Sequence, residues 1–304
     1  MTRPLEHLLD IASLSEDRVK SVLATAHEIK ANPDRYRTAC EGRLLVNLFY
    51  EPSTRTRFSF EIAGRRLGMD VINFTAAGSS VVKGETLLDS FKTLEAMEPD
   101  AVVVRHPDDG SVAELAAASN PGTHIINAGD GSHAHPSQAM LDALTLQQNF
   151  KDLSRVKILI AGDLSHSRVT KSDIEIFKKL GVGEIRLAAP AQLQPEARNS
   201  EGALVFDRMD EAIDGVNVVM MLRIQHERLS GEMLPGSDAY HKEWGLSSER
   251  LGQAAPGCLV MHPGPMNRGV EISSEVADGP RSLILQQVNN GVFARMAILH
   301  EMLT

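Results

Sequence analysis

The chain has 304 residues, room for two domains, and 42% hydrophobic with 23% charged residues, the balance of a soluble globular protein. Its formal net charge of -9 argues against a general nucleic-acid or anionic-membrane surface. Two cysteines, Cys40 and Cys258, do not suggest a disulfide framework or a cysteine-rich zinc site, and no run approaches a membrane span, so a soluble cytoplasmic protein is expected.

An amphipathic helix is expected over 15–31, with Val19, Val22, Leu23, Ala26 and Ile29 as its apolar stripe. Strand-like runs at 44–50, 71–74 and 101–104, and a short one at 124–127, alternate with helices near 54–67, 85–97 and 111–118. A helix over 136–150 leads into a polar junction at 149–155. The rhythm then repeats, with strands at 156–161, 184–188, 216–221 and 258–261 and helices near 168–180 and 208–214. The last helix, 282–302, is long enough to cross back onto the first domain. Such alternation predicts an α/β fold of two domains, each a mainly parallel sheet flanked by helices. The expected boundaries are 1–149 with 284–304 for the first domain and 150–283 for the second. Two long loops, 75–84 and 223–244, are candidates for functional segments.

The most informative stretch is Glu51-Pro-Ser-Thr-Arg-Thr-Arg57, where a strand ends and a helix begins. Pro52 stops the strand and Ser53 suits an N-cap. Two arginines in a first helical turn oppose the helix dipole at about 0.3–1 kcal/mol each. A bound anion reverses that sign. The stretch therefore reads as a phosphate site made of backbone N–H groups, hydroxyls and guanidinium forks.

Other arginines follow strands in the same way. Arg105 ends the run at 101–104, where ligands bind in parallel sheets. Gly162-Asp-Leu-Ser-His-Ser-Arg168 follows a strand and opens a helix, but it lacks G-x-G-x-x-G, so Arg168 suggests a second anion site rather than a dinucleotide turn. Arg223 and Gln225, two apart on an extended segment, share a face and suit a carboxylate. Ser79, Ser80, Lys83 and Glu85 lie in or beside the first long loop, with Lys83 a mobile charge suited to phosphate. The 127–138 loop carries His133 and His135, which lack a third metal ligand at useful spacing. His135 and Gln138, one turn apart, read instead as neutral hydrogen-bond donors. The turn His262-Pro-Gly-Pro265 offers backbone carbonyls that accept from an ammonium or amide. No P-loop, H-E-x-x-H motif or metal cluster is visible, so neither metal nor cofactor is expected, and the arginines imply a small, highly anionic substrate set.

With F-Y-E-P-S-T-R-T-R, V-K-G-E-T, H-P-S-Q, the G-D…H-S-R turn, L-R-I-Q-H-E-R and M-H-P-G-P-M-N-R-G, the chain resembles the aspartate carbamoyltransferase catalytic chains over essentially its whole length. Ornithine-specific relatives carry an H-C-L-P turn and an S-M pair instead. The resemblance implies a carbamoyl-phosphate domain and an aspartate domain, transfer of a carbamoyl group to L-aspartate in pyrimidine biosynthesis, and a homotrimer with shared active sites. It implies that Ser53, Thr54, Arg55 and Thr56 hold phosphate, while Arg105, His135 and Gln138 hold the carbamoyl group. It implies that Ser79 and Lys83 come from the neighbouring subunit, Lys83 also reaching aspartate. Arg168, Arg223 and Gln225 would bind the aspartate carboxylates, and the backbone of Gly264 and Pro265 would touch both substrates. Arg55, Thr56, Lys83, Arg105 and His135 would be catalytic. The family often has leucine or alanine at position 264, so Gly264 is expected to loosen the turn or alter domain closure. A higher assembly with regulatory chains or a dihydroorotase-like partner stays open.

Overall fold

The structure is a computed structural model that describes residues 5–75, 84–197, 200–225 and 236–304. The chain forms two units, Met1–Leu144 with Val288–Thr304, and Thr145–Gln287.

In the first unit, α1 (Glu16–Ala31) precedes β1 (Leu44–Phe49), α2 (Thr54–Arg66), β2 (Asp70–Thr75), α3 (Leu87–Glu95), β3 (Ala101–His106), α4 (Ser111–Ala118), β4 (His124–Asp130) and the start of α5 (Pro136–Asn149). The strands pair in parallel in the order β2-β1-β3-β4. Parallel strands are covered on both faces, and β1, β3 and β4 accordingly bury nearly every residue. Leu48, Phe91, Val102, Val104, Leu115 and Ile125 form one cluster of this core. The predicted stripe of α1 is buried, and Ser15 caps that helix by accepting from the Arg18 N–H.

The second unit runs through β5 (Lys157–Ala161), α6 (Arg168–Lys179), β6 (Glu184–Ala188), β7 (Leu204–Phe206), α7 (Met209–Ile213), β8 (Val218–Met221), α8 (Ser237–Trp244), α9 (Ser248–Leu251), β9 (Leu259–Met261) and α10 (Ser274–Ala277). Its sheet has the order β7-β6-β5-β8-β9, again all parallel. The last helix, α11 (Ile284–Leu303), begins in this unit and ends in the first. There Glu301 accepts from Arg18, Ser21 and Thr25 of α1, and Lys30 donates to Asn290.

The strand β7 and the helices α8, α9 and α10 depart from the sequence reading. The edge strand β7 was not expected, because three residues with Leu204 and Val205 both exposed show no period-2 pattern. The loop expected over 223–244 closes in α8, whose buried residues Tyr240 and Trp244 lie four apart on one helical face.

Cys40 and Cys258 are both buried free thiols. Burial pushes the Cys40 thiol up to about 11 and the Cys258 thiol up to about 12. Neither is expected to react with iodoacetamide in the native protein at pH 8, and both are expected to react in urea. Mass spectrometry of the alkylated chain reads this directly.

Candidate active site

Both sheets place their candidate residues by one rule. In an open parallel sheet the ligand crevice forms outside the strand carboxyl ends, where the strand order reverses. In the first unit that point lies between β1, followed by β2 on one side, and β3 on the other. In the second it lies between β5 and β8. The Ser53–Thr56 segment follows β1, Arg105 is the penultimate residue of β3, Gly162 to Arg168 follows β5, and Arg223 with Gln225 follows β8.

At the first switch point, Ser53 occupies the N-cap position of α2, but its side chain makes no capping hydrogen bond. The caps of α1 and α6 do make that bond, from Ser15 and Ser167. No acidic residue lies in the first turn of α2. Its N-terminal field is therefore unopposed by any carboxylate of that turn. Thr56 is buried, whereas Thr54 and Arg55 are exposed. Desolvation by neighbouring atoms holds the Arg55 guanidinium below its ordinary pKa, though an arginine stays cationic at neutral pH.

Arg105 is set by a bulge. Val104 pairs with Asn127 and His106 with Asp130, so two residues of β4 face Arg105 alone. Bulges re-aim side chains beside functional sites. Arg105 Nη1 donates to the Ala128 carbonyl at 3.2 Å, and its Nε lies 3.2 Å from Glu51. The carboxylate of Glu51 thus braces the arginine that its own motif precedes.

The loop after β4 is held by Asp130, which is buried and accepts from Asn127 and Gly110. His133 Nδ1 lies 3.2 Å from the same carboxylate, so this histidine closes the loop. Among the described residues no group of histidine, cysteine and carboxylate side chains could hold a metal. His135 is buried, and its carbonyl accepts from the N–H groups of Gln138 and Ala139. Gln138 Nε2 donates to Asp142, 3.0 and 3.3 Å from the two carboxylate oxygens, which uses one of its two N–H groups.

At the second switch point, Asp163 is fully buried and organises the turn. It accepts from the His166 N–H at 3.2 Å and from the Gln225 N–H at 3.1 Å. Gln225 Nε2 donates to the His166 carbonyl at 3.0 Å. Gln225 is therefore tied to the loop that leads, two residues later, into Arg168 at the start of α6. Arg168 is buried and Arg223 half-buried.

The His262-to-Pro265 turn follows β9. His262 Nδ1 accepts from the Gly264 N–H at 2.8 Å, which leaves the proton on Nε2, 3.2 Å from the buried Glu271. Gly264 has φ +72. Glycine takes that conformation without the penalty a side chain brings, so it suits the turn rather than loosening it. Ser79, Ser80 and Lys83 lie outside the described residues, while Glu85 accepts from Ser90 at 2.9 Å. Sequence reasoning missed Glu51, Asp130, Asp142, Asp163 and Glu271. The carboxylates beside the arginine and glycine signals, Glu51 and Asp163, were the only hints.

Residues 6–148 match the family model for the aspartate/ornithine carbamoyltransferase carbamoyl-P binding domain, and residues 154–302 match that for the Asp/Orn binding domain. An aspartate carbamoyltransferase catalytic subunit of Stenotrophomonas maltophilia is 47% identical over 98% of this chain and 96% of that protein. A crystal structure of aspartate transcarbamoylase from Trypanosoma cruzi with carbamoyl aspartate and phosphate superimposes with a TM-score of 0.87, 29% identity, and coverage of 98% of this chain and 96% of that one. Ornithine carbamoyltransferase from Thermus thermophilus also gives 0.87, at 25% identity and 99% coverage of both chains. Backbone likeness thus does not separate the two acceptors, but it agrees with both domain matches that the chain belongs to the aspartate/ornithine carbamoyltransferase family.

Proposed function

We propose that this protein transfers the carbamoyl group of carbamoyl phosphate to the α-amine of L-aspartate, giving N-carbamoyl-L-aspartate and phosphate, a step of de novo pyrimidine biosynthesis. The observation that carries the choice of acceptor is the cationic second switch point, with Arg168 opening α6 and Arg223 beside Gln225 after β8. Two arginines complement a dicarboxylate. The side-chain ammonium of ornithine would meet them as a like charge, which specificity by repulsion uses. The 47% identical relative bearing the aspartate name supports the same acceptor.

In this reading Ser53, Thr54, Arg55 and Thr56 hold the phosphate at the start of α2. Arg105, His135 and Gln138 hold the carbamoyl group, and Arg168, Arg223 and Gln225 hold the aspartate carboxylates. The backbone of Gly264 and Pro265 contacts both substrates. The amine attacks the carbamoyl carbon, a C–N bond forms, and the C–O bond to phosphate breaks. Thr56, Arg105 and His135 donate to the oxygen that becomes negative in between. The leaving phosphate takes the amine proton, so no side-chain base is required.

The same reading makes the protein a cytoplasmic homotrimer in which Ser79 and Lys83 complete a neighbour's site. Three large exposed apolar side chains support an assembly. Phe58 and Ile62, four apart on α2, are 48% and 40% exposed, and Ile72 on the edge strand β2 is 53% exposed. Phe58→Glu is expected to convert a particle of three chain masses into monomers by light scattering and to lower turnover with it. A wild-type monomer with full activity would overturn the shared site.

The acceptor is tested on the purified chain with carbamoyl phosphate. Aspartate is expected to turn over at least about 10³-fold better than ornithine, because a site with buried polar and charged groups strongly rejects a mismatched ligand. Turnover of ornithine and not aspartate would reverse the assignment.

A further inference from the structure

The buried charges behind the carbamoyl pocket are unexplained by substrate contact alone. Gln138 and Asp142 lie one turn apart on α5, on the same helical face. Gln138 is 7% exposed and Asp142 not at all. A carboxylate has only acceptors to offer, and a primary amide has a donor end and an acceptor end. With Asp142 ionised, the amide must turn its Nε2 toward it, as the distances of 3.0 and 3.3 Å record. Its Oε1 is then directed away from Asp142.

An isolated buried carboxylate would be costly. The compensating charge is Arg295 of α11, which is 2% exposed and interacts electrostatically with Asp142. Burial pulls the Arg295 guanidinium down to about 10 while Asp142 pulls it back up. The guanidinium lies over the Phe60 ring of α2, 5.0 Å from its centre, and Nη1 donates to the Gly291 carbonyl at 3.0 Å. Space for it comes from Gly291, where a Cβ would stand 2.6 Å from Nη1. Burying two opposite charges is seldom more stabilising than apolar packing of the same volume. Their presence here calls for a directional role.

We propose that Asp142, supported by Arg295, is a positioning residue that holds one N–H of the Gln138 amide and so turns Oε1 toward the substrate, making the pocket select a carbamoyl NH2 over an acyl methyl. The proposal rests on the assignment of Gln138 to the carbamoyl group. Acetyl phosphate has the shape of carbamoyl phosphate but no N–H to give, so a fixed acceptor would be left unpaired against it.

The test is the ratio of the acetyl phosphate inhibition constant to the carbamoyl phosphate KM. In Asp142→Asn the neighbour can donate as well as accept, and the Gln138 amide is free to turn over. The ratio is expected to fall about tenfold to a hundredfold, through a higher KM, with the acetyl phosphate constant changed less than about threefold. Gln138→Ala should lower the ratio similarly, and adding Asp142→Asn to it should lower it no further. Arg295→Lys, which keeps the charge, should retain most of the ratio and serves if Asp142→Asn does not fold. An unchanged ratio in Asp142→Asn, equal weakening of both ligands, or a further fall in the double variant overturns the positioning role. A wild-type chain that turns over carbamoyl phosphate with no acceptor overturns the functional reading itself, and is distinguished by that first measurement.

Discussion

Arg55→Ala is expected to lower kcat/KM by about 10²–10³-fold while leaving the fold as stable as before or slightly more so. The two halves of this expectation have one cause. Arg55 lies in the first turn of α2, where the helix field is positive and no carboxylate of that turn answers it. In the free protein its charge is unfavourable there by about 0.3–1 kcal/mol, and its side chain is exposed. Deleting it removes that cost and little packing. With phosphate bound, the same charge stands beside a dianion and makes charge-assisted hydrogen bonds. Thermal melts with and without inorganic phosphate read both halves. Wild-type protein should gain stability from phosphate according to its affinity, and Arg55→Ala should gain much less. A variant with near-normal turnover, or with undiminished phosphate stabilisation, would remove Arg55 from the site.

The start of α2 and its unbalanced charges were already legible in the chain. Strand runs with continuous apolar character, the amphipathic stripe of α1 and the final helix were legible for the same reason. Each is a local pattern. Strand order was not. Nothing local in the sequence dictates that β1 neighbours β3 or that β5 neighbours β8, yet those adjacencies put the Ser53–Thr56 segment beside Arg105 and the Gly162 turn beside Arg223. Parallel pairing joins segments far apart in sequence, and only the fold reveals the neighbour.

Carboxylates were the other gap. The arginines drew attention because cations at strand ends of an acidic protein are unusual. The residues that aim them carry the opposite charge and look ordinary in a chain with 40 aspartates and glutamates. Glu51 braces Arg105, Asp163 ties Gln225 to the loop before Arg168, and Glu271 fixes the tautomer of His262. Asp142 takes one N–H of Gln138 and so sets the direction of its amide. Such roles follow from burial, which composition does not report. Asp142, Asp163 and Glu271 are all fully buried.

Gly162→Ala is expected to destabilise the second unit by about 3 kcal/mol or more and to abolish aspartate saturation in whatever folds. Gly162 follows β5 with φ +130, a conformation for which side chains bring strain of about 1–3 kcal/mol. The larger problem is space. A Cβ there would stand 2.3 Å from the Leu222 carbonyl oxygen, and neither backbone can yield freely. Leu222 N–H donates to the Ala161 carbonyl at 2.7 Å, immediately before the glycine, and Gln225 N–H donates to Asp163 immediately after it. Moving the strands apart breaks those bonds and drags Gln225 from the loop that carries Arg168. Gly181→Ala is the control, for that residue also has positive φ, +70, but open space around its missing Cβ. It should cost only the conformational strain, about 1–2 kcal/mol, and leave aspartate kinetics unchanged. Urea unfolding and aspartate saturation curves on the two variants separate strain from collision. Equal destabilisation by both substitutions would mean that the close approach of β5 and β8 at Leu222 is not what builds the acceptor site.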